Sequence, residues 1–278
     1  MANFTAIAWR LIPGLAVAAL GLAAMGATTP PTWRPLDPDN TLVVDTSQGR
    51  IVVEMRPEFA PQAVARVKLL SRERLYDGLL FHRVIAGFVD QTGDPGNHDG
   101  GVSSHPNLPP EFTAVLGPEA FDTVASRASD GIEGFVGALP FAATPSPAKP
   151  GKYRAWGVYC PGVAGMGRGE TIGSANSEIF FMRDANRSLD HDYAVWGRVV
   201  VGLDVVRAMA VGEPPAHPDR MIRVRVMADL PANERPAVEV IDTRSAAFRA
   251  DLDRTRRAKG ADFSPCDMPI ATRPAAGG

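Results

Sequence analysis

Phe81-His82-Arg83-Val84-Ile85-Ala86-Gly87-Phe88-Val89-Asp90-Gln91-Thr92-Gly93-Asp94 is the stretch on which the reading of this chain turns. Together with the residues just before it, it holds two short apolar runs, residues 79–85 and 88–91, broken at Ala86-Gly87. Runs of this length bounded by turn residues are strands. Arg83, Phe88 and Gln91 place a cation, an aromatic ring and an amide within a few residues. In a strand over 88–91, Phe88 and Asp90 share one face, with Val89 and Gln91 on the other. Phe88 can then join Gln91 only through a bend at Gly87 or through residues on opposing strands.

The surrounding sequence repeats this texture. Residues 41–46 and 50–55 are apolar runs around Ser47-Gln48-Gly49 and predict a β-hairpin. Pro61 opens a helix at a position where its missing N–H costs nothing. Val64, Val67, Leu70 and Arg74 follow helical spacing, and the helix ends before Asp77-Gly78. Residues 178–182 and 193–200 read as strands, and a short helix follows Gly202. Residues 221–226 alternate with period two, which fits a strand with one wet face. A charged helix is expected near 245–259, with Ser245 as a candidate cap. Residues 113–155 carry little periodicity, and 139–151 are rich in Pro, Ala and Ser. They read as a long, surface-running loop insertion with local structure near 131–139. Many short strands with two helices far apart predict a β-barrel or sandwich capped by helices.

Composition narrows the function. Lys+Arg number 29 against 31 Asp+Glu, a formal net charge of -2. A general nucleic-acid binder needs a cation surplus to displace counterions, so no nucleic-acid partner is expected. Arg10 precedes an apolar run through Ala27 that is short for a bilayer span and is weakened by Pro13 and Gly14. Residues 1–27 therefore read as an export signal, or as a membrane anchor if uncleaved, and residues 28–40 as a Pro-rich linker. Cys160 and Cys266 can close a disulfide in an oxidising compartment or remain buried free thiols. His82, His98 and His105 with Asp94 and Asp99 match no zinc or calcium spacing, so no metal is expected. Gly165-Met166-Gly167-Arg168-Gly169 lacks the spacing and the strand–helix context of a nucleotide loop.

Three blocks of residues resemble one family. The opening stretch is similar to the cyclophilin pattern F-H-R-x-x-x-G-F-x-x-Q-G-G-D, with Thr92 in place of one glycine. Met166-Gly167-Arg168-Gly169 and Ser174-Ala175-Asn176-Ser177-Glu178-Ile179-Phe180-Phe181 resemble M-A-R-A and S-A-N-S-Q-F-F. Leu189-Asp190-His191-Asp192-Tyr193-Ala194-Val195-Trp196-Gly197-Arg198-Val199 resembles L-D-x-x-Y-x-V-F-G-x-V. The resemblance covers residues 41–229, less the insertion. It implies a closed, eight-stranded antiparallel barrel capped by two α-helices, followed by a C-terminal extension over 230–278. It also implies a peptidyl-prolyl cis-trans isomerase that acts on proline-containing polypeptides without a cofactor and works as a monomer. With the export signal, the expected place is the periplasm or the exterior, and the expected role is folding of exported proteins.

Amide rotation faces a barrier of roughly 18–20 kcal/mol and breaks no bond, so neither nucleophile nor metal is called for. What helps is a donor near the proline nitrogen as it pyramidalises, an apolar hollow for the ring, and a hold on the flanking backbone. By resemblance Arg83 is the catalytic donor and Gln91 orients the substrate carbonyl. Phe88, Val89, Phe180 and Leu189 form the proline pocket. Gly167 and Arg168 bind substrate backbone, Glu178 stands at a substrate-binding position, and Tyr193 lies on the rim. Departures matter: Glu178 replaces a usual glutamine, adding charge and losing a donor. Ser188 stands where many relatives carry an aromatic that contacts cyclosporin. Given these blocks, Cys160 and Cys266 are expected to staple the C-terminal extension near the insertion. The rival readings are a proline-segment binding module or chaperone without turnover, motivated by Glu178 and the insertion, and a metal-dependent hydrolase using the histidines.

Overall fold

The computed structural model describes Met1, residues 32–98 and residues 100–275. The rest of the expected export segment and residues 28–31 lie outside the described residues. Trp33–Pro35, expected within a linker, instead forms a first strand, β1. Thr41–Thr46 (β2) and Gly49–Met55 (β3) make the predicted hairpin, in register from Thr41–Glu54 to Thr46–Gly49. Helix α1 covers Pro61–Arg72, with Pro61 in its first turn. Val64, Val67 and Leu70 are buried, and Leu69 faces out.

Arg83–Val84 (β4) and Val89–Thr92 (β5) follow. Val163–Met166 (β11), Ile179–Met182 (β12), Val195–Val201 (β13) and Met221–Val226 (β14) complete the main sheet, and α2, Leu203–Ala208, follows β13. The eight strands run in the order β14-β2-β3-β13-β11-β12-β5-β4, every neighbouring pair antiparallel. The sheet curls into a half-barrel around Leu42, Val53, Phe81, Phe181 and Trp196, with α1 and α2 packed on the same core. No ladder joins the edge strands β14 and β4. Backbone hydrogen bonds beside them, Phe81 N–H to Asp219 C=O at 2.9 Å and Met221 N–H to Leu79 C=O at 2.9 Å, tie the two margins.

The region expected to be a long loop is a second sheet. Ala114–Leu116 (β6), Thr123–Arg127 (β7), Ile132–Val136 (β8), Leu139–Pro145 (β9) and Tyr153–Gly157 (β10) run in the order β6-β10-β9-β8-β7. The composition misleads for a physical reason. Pro140 and Pro145, poor residues for a strand interior, sit near the two ends of β9, where a missing N–H costs least. The alanines are small because they are buried: Ala142, Ala143 and Ala155 pack with Phe141, Leu139 and Trp156.

The extension closes over this sheet. Val238–Ile241 (β15) and Thr272–Pro274 (β16) form a three-stranded sheet with β1, in the order β1-β15-β16. Helix α3, Ala246–Lys259, is capped by the Ser245 side chain, which accepts from the Phe248 N–H. Phe248 meets Phe135 edge-on at 5.1 Å. Cys160 and Cys266 are joined by a disulfide, with Cα atoms 4.9 Å apart. No helix among the described residues is long and apolar enough to cross a membrane.

Candidate functional site

The site is a row of directly paired residues on one face of the half-barrel. Arg83 of β4 pairs with Gln91 of β5, Gln91 with Phe180 of β12, and Phe180 with Gly165 of β11. Residues opposite one another in antiparallel strands present their side chains on the same face, so register alone gathers cation, amide and ring. Phe88 arrives differently. Gly87 takes a positive φ of 71°, a conformation suited to glycine, and Phe88 lies in the turn before β5 instead of in the strand. The bend that strict alternation required is therefore present at Gly87.

Phe180 lies over Gly165. A Cβ at Gly165 would stand 2.3 Å from the Phe180 ring and 2.7 Å from the Tyr159 hydroxyl, so this position admits no side chain without displacing the ring. Tyr159 stacks with Phe180 at 5.7 Å, and Tyr193 meets it edge-on at 5.8 Å. The Arg168 guanidinium lies 4.5 Å from the Tyr193 ring centroid, a cation–π distance, and donates to the Asp192 carbonyl at 3.0 Å. Leu189 ends a single 3-10 turn, Arg187–Leu189, capped by the Asn186 side chain.

Arg83, Phe88, Val89, Gln91, Gly167, Arg168, Phe180, Leu189 and Tyr193 line one hollow of about 190 Å³. Glu178 does not. It stands two residues before Phe180, against Gly167, and lines a neighbouring depression with Gly100, Asn107 and Asn176. Its carboxylate is buried, 3.2 Å from His82 Nε2. The histidines are dispersed onto separate carboxylates: His82 by Glu178, His105 by Glu73 and His98 by Asp94. Among the described residues no three His, Cys, Asp or Glu side chains gather into a metal-binding group.

Arg83 is held from two sides. Its Nη1 donates to Gln91 Oε1 at 3.1 Å and its Nε to Glu213 Oε2 at 2.8 Å. Glu213 was not legible in the sequence: it lies 130 residues from Arg83 in a Gly-Glu-Pro-Pro stretch with no periodicity. Tyr159, which backs Phe180, was equally silent because it falls just beyond a strand. On the reverse of β5, buried Asp90 accepts from Arg183 at 2.7 Å, and Arg183 also donates to the carbonyls of Val206 and Arg207 at the end of α2. The sheet face that carries the hollow is thus anchored from behind.

The hollow offers a fixed guanidinium, an amide and three aromatic rings, with no nucleophile–base pair. The family model described as Cyclophilin type peptidyl-prolyl cis-trans isomerase/CLD matches residues 41–226. The chain belongs to the cyclophilin-type peptidyl-prolyl cis-trans isomerases. As a cyclophilin it catalyses cis–trans rotation about peptidyl-prolyl bonds. It is 32% identical over 230 residues to a probable peptidyl-prolyl cis-trans isomerase of Brucella suis biovar 1, covering 77% of this chain and 96% of that protein. A peptidyl-prolyl cis-trans isomerase of Schizosaccharomyces pombe is 30% identical over 187 residues, covering 65% of this chain and 94% of that protein. The crystal structure of cyclophilin AquaCyp293 from Hirschia baltica superposes with a TM-score of 0.78 at 31% identity, over 87% of this chain and 94% of that one. That likeness covers more of the chain than the residues the family model matches.

Proposed function

We propose that this cyclophilin turns X–Pro bonds in exported polypeptides, with Arg83 as donor to the proline nitrogen. The observation that carries the reading is the joint placement of Arg83, Gln91, Phe88 and Phe180 on one hollow, with the guanidinium tethered at its edge. The proline ring enters between Phe88, Val89, Phe180 and Leu189. Its burial selects proline by shape and fixes the ring side of the amide. As the bond twists, resonance is lost and the nitrogen gains a lone pair. The Arg83 guanidinium, already oriented, meets that lone pair without reorganising, which favours the twisted state over both planar states. Gln91, whose Oε1 accepts from Arg83, orients the substrate carbonyl. Substrate backbone lies along Gly167 and Arg168, with Tyr193 at the rim.

Replacing Arg83 with Ala is expected to lower kcat/KM for a proline peptide by roughly 10²–10³-fold, the loss typical of one oriented transition-state donor. A rate equal to wild type would refute the assignment. Glu178 shapes the ground next to the hollow and is assigned no contact with the proline. The hydrogen bonds beside β4 and β14 favour a barrel that works as closed.

Export rests on the Arg10-led apolar segment and on the Cys160–Cys266 bridge, a linkage that persists in oxidising compartments. The residues lining the hollow all come from one chain, so the proposed activity needs no partner subunit. Export predicts that protein recovered from the periplasm begins near residue 28. Full-length chain confined to the cytoplasm would contradict it.

A further inference from the structure

We propose that Glu213 is a positioning residue for catalysis, holding the Arg83 guanidinium at the angle from which it meets the proline nitrogen. The inference rests on Arg83 being the donor. A guanidinium is a flat group at the end of a long side chain, and one tether leaves it free to swing. Arg83 has two tethers on different atoms, Gln91 at Nη1 and Glu213 at Nε. Among the described residues Nη2 has no hydrogen-bond partner. The two contacts therefore fix the plane of the group and leave Nη2, with the second hydrogen of Nη1, to the substrate.

Glu213 is itself delivered rigidly. The Val84 N–H donates to the Gly212 carbonyl at 2.8 Å, and the Gly212 N–H returns to the Val84 carbonyl at 2.9 Å. The residue before Glu213 is thus clamped to the residue after Arg83. The chain then doubles back tightly: a Cβ on Gly212 would stand 2.4 Å from the Pro215 Cα, and two prolines follow Glu213 directly. Glu213 has no other hydrogen bond or ion pair among the described residues, and its side chain is 53% exposed. An exposed carboxylate with a single partner adds little to folding. Its placement is explained by what it does to Arg83. A carboxylate beside a guanidinium also damps its charge, so the proposal commits to orientation outweighing damping.

The test compares wild type, Arg83→Ala, Glu213→Ala, Glu213→Gln and the Arg83→Ala/Glu213→Ala double variant on one proline peptide, with thermal unfolding of each. Glu213→Ala is expected to lose about two- to fivefold in kcat, the scale of a half-exposed ion pair. KM and unfolding temperature stay unchanged. Glu213→Gln, which keeps an oxygen for Nε, recovers at least half of the loss, and the double variant is no slower than Arg83→Ala alone. The inference is overturned if Glu213→Ala turns over at the wild-type rate or faster, if only KM moves, or if Glu213→Gln is no better than Glu213→Ala. Arg83→Ala at the wild-type rate would instead remove the donor assignment beneath it, so the two failures are distinguishable.

Discussion

Gly165 shows how much of this site is decided by single atoms. It lies across from Phe180 in the β11–β12 ladder, and the hollow exists because no Cβ intrudes there. Gly165→Ala forces Phe180 or Tyr159 aside. The expected cost is about 1–3 kcal/mol of stability from overpacking, with a rise in KM for proline peptides as the pocket wall shifts. Denaturant unfolding and steady-state kinetics check both, and an Ala variant with unchanged KM would show that the ring does not bound the substrate. At this scale the sequence was informative where residues were local. Arg83, Phe88 and Gln91 were visible because one turn separates their strands. Phe180 was visible only through resemblance, since its pairing with Gln91 spans the whole insertion. Glu178 stands beside the hollow, across Gly167; a motif position says which residue is present but not which side of Gly167 its carboxylate occupies.

At the scale of elements the second sheet is the main departure from the sequence reading. Its core mixes large side chains such as Phe141, Leu139 and Trp156 with small Ala142, Ala143 and Ala155, and prolines lie near both ends of β9, so no alternation of period two stands out along its strands. The sheet supports the site directly. Phe141, Leu139 and Trp156 pack in one cluster with Val89 and Phe180, so the inner wall of the proline hollow rests on the insertion. Cys160 belongs to this cluster and Cys266 packs against it, joining it to the extension across 106 residues. Cys266→Ser is expected to lower stability by roughly 2–4 kcal/mol. Because the disulfide lies behind the hollow and not in it, kcat/KM of the folded fraction stays near wild type. Loss of turnover in a fully folded Cys266→Ser protein would show that the extension also shapes the site.

Across the whole molecule the barrel, the insertion and the N-terminal strand converge on Glu54. Arg34 of β1 donates to it at 2.6 and 2.9 Å, Arg56 lies at 2.8 Å, and the Ala138 N–H donates at 2.9 Å from the turn between β8 and β9. Burial alone would raise this carboxyl. Arg56, Arg34 and the Ala138 N–H outweigh burial and hold it down to about 2. A carboxyl depressed in the fold stabilises it above the unfolded value of 4.5, and that contribution is lost as pH falls from there toward 2. The linkage amounts to about 3 kcal/mol. Glu54→Gln removes the paired carboxylate of Arg34 and leaves Arg56 only its longer contact with Glu58, and is expected to cost roughly 3–5 kcal/mol at pH 7 while flattening the acid limb of the stability curve. An unchanged slope between pH 4.5 and 2 would assign that limb to other carboxylates. Nothing local in the sequence marks Glu54, an acidic residue after the apolar run Ile51-Val52-Val53, as the point where three parts meet. The mostly-β architecture was legible because it is repeated in every short apolar run, whereas the ties between its parts are long-range and leave no periodic trace.

Catalysis in this reading comes from an oriented guanidinium that favours the twisted amide. Exchange NMR on a single-proline peptide with Arg83→Ala tests it most directly, because the same spectra give turnover on the enzyme and peptide affinity. The expected result is turnover slower by two orders of magnitude or more, with affinity within a few-fold of wild type. Loss of affinity with turnover intact would contradict it, since Arg83 would then bind the planar substrate without acting on its rotation.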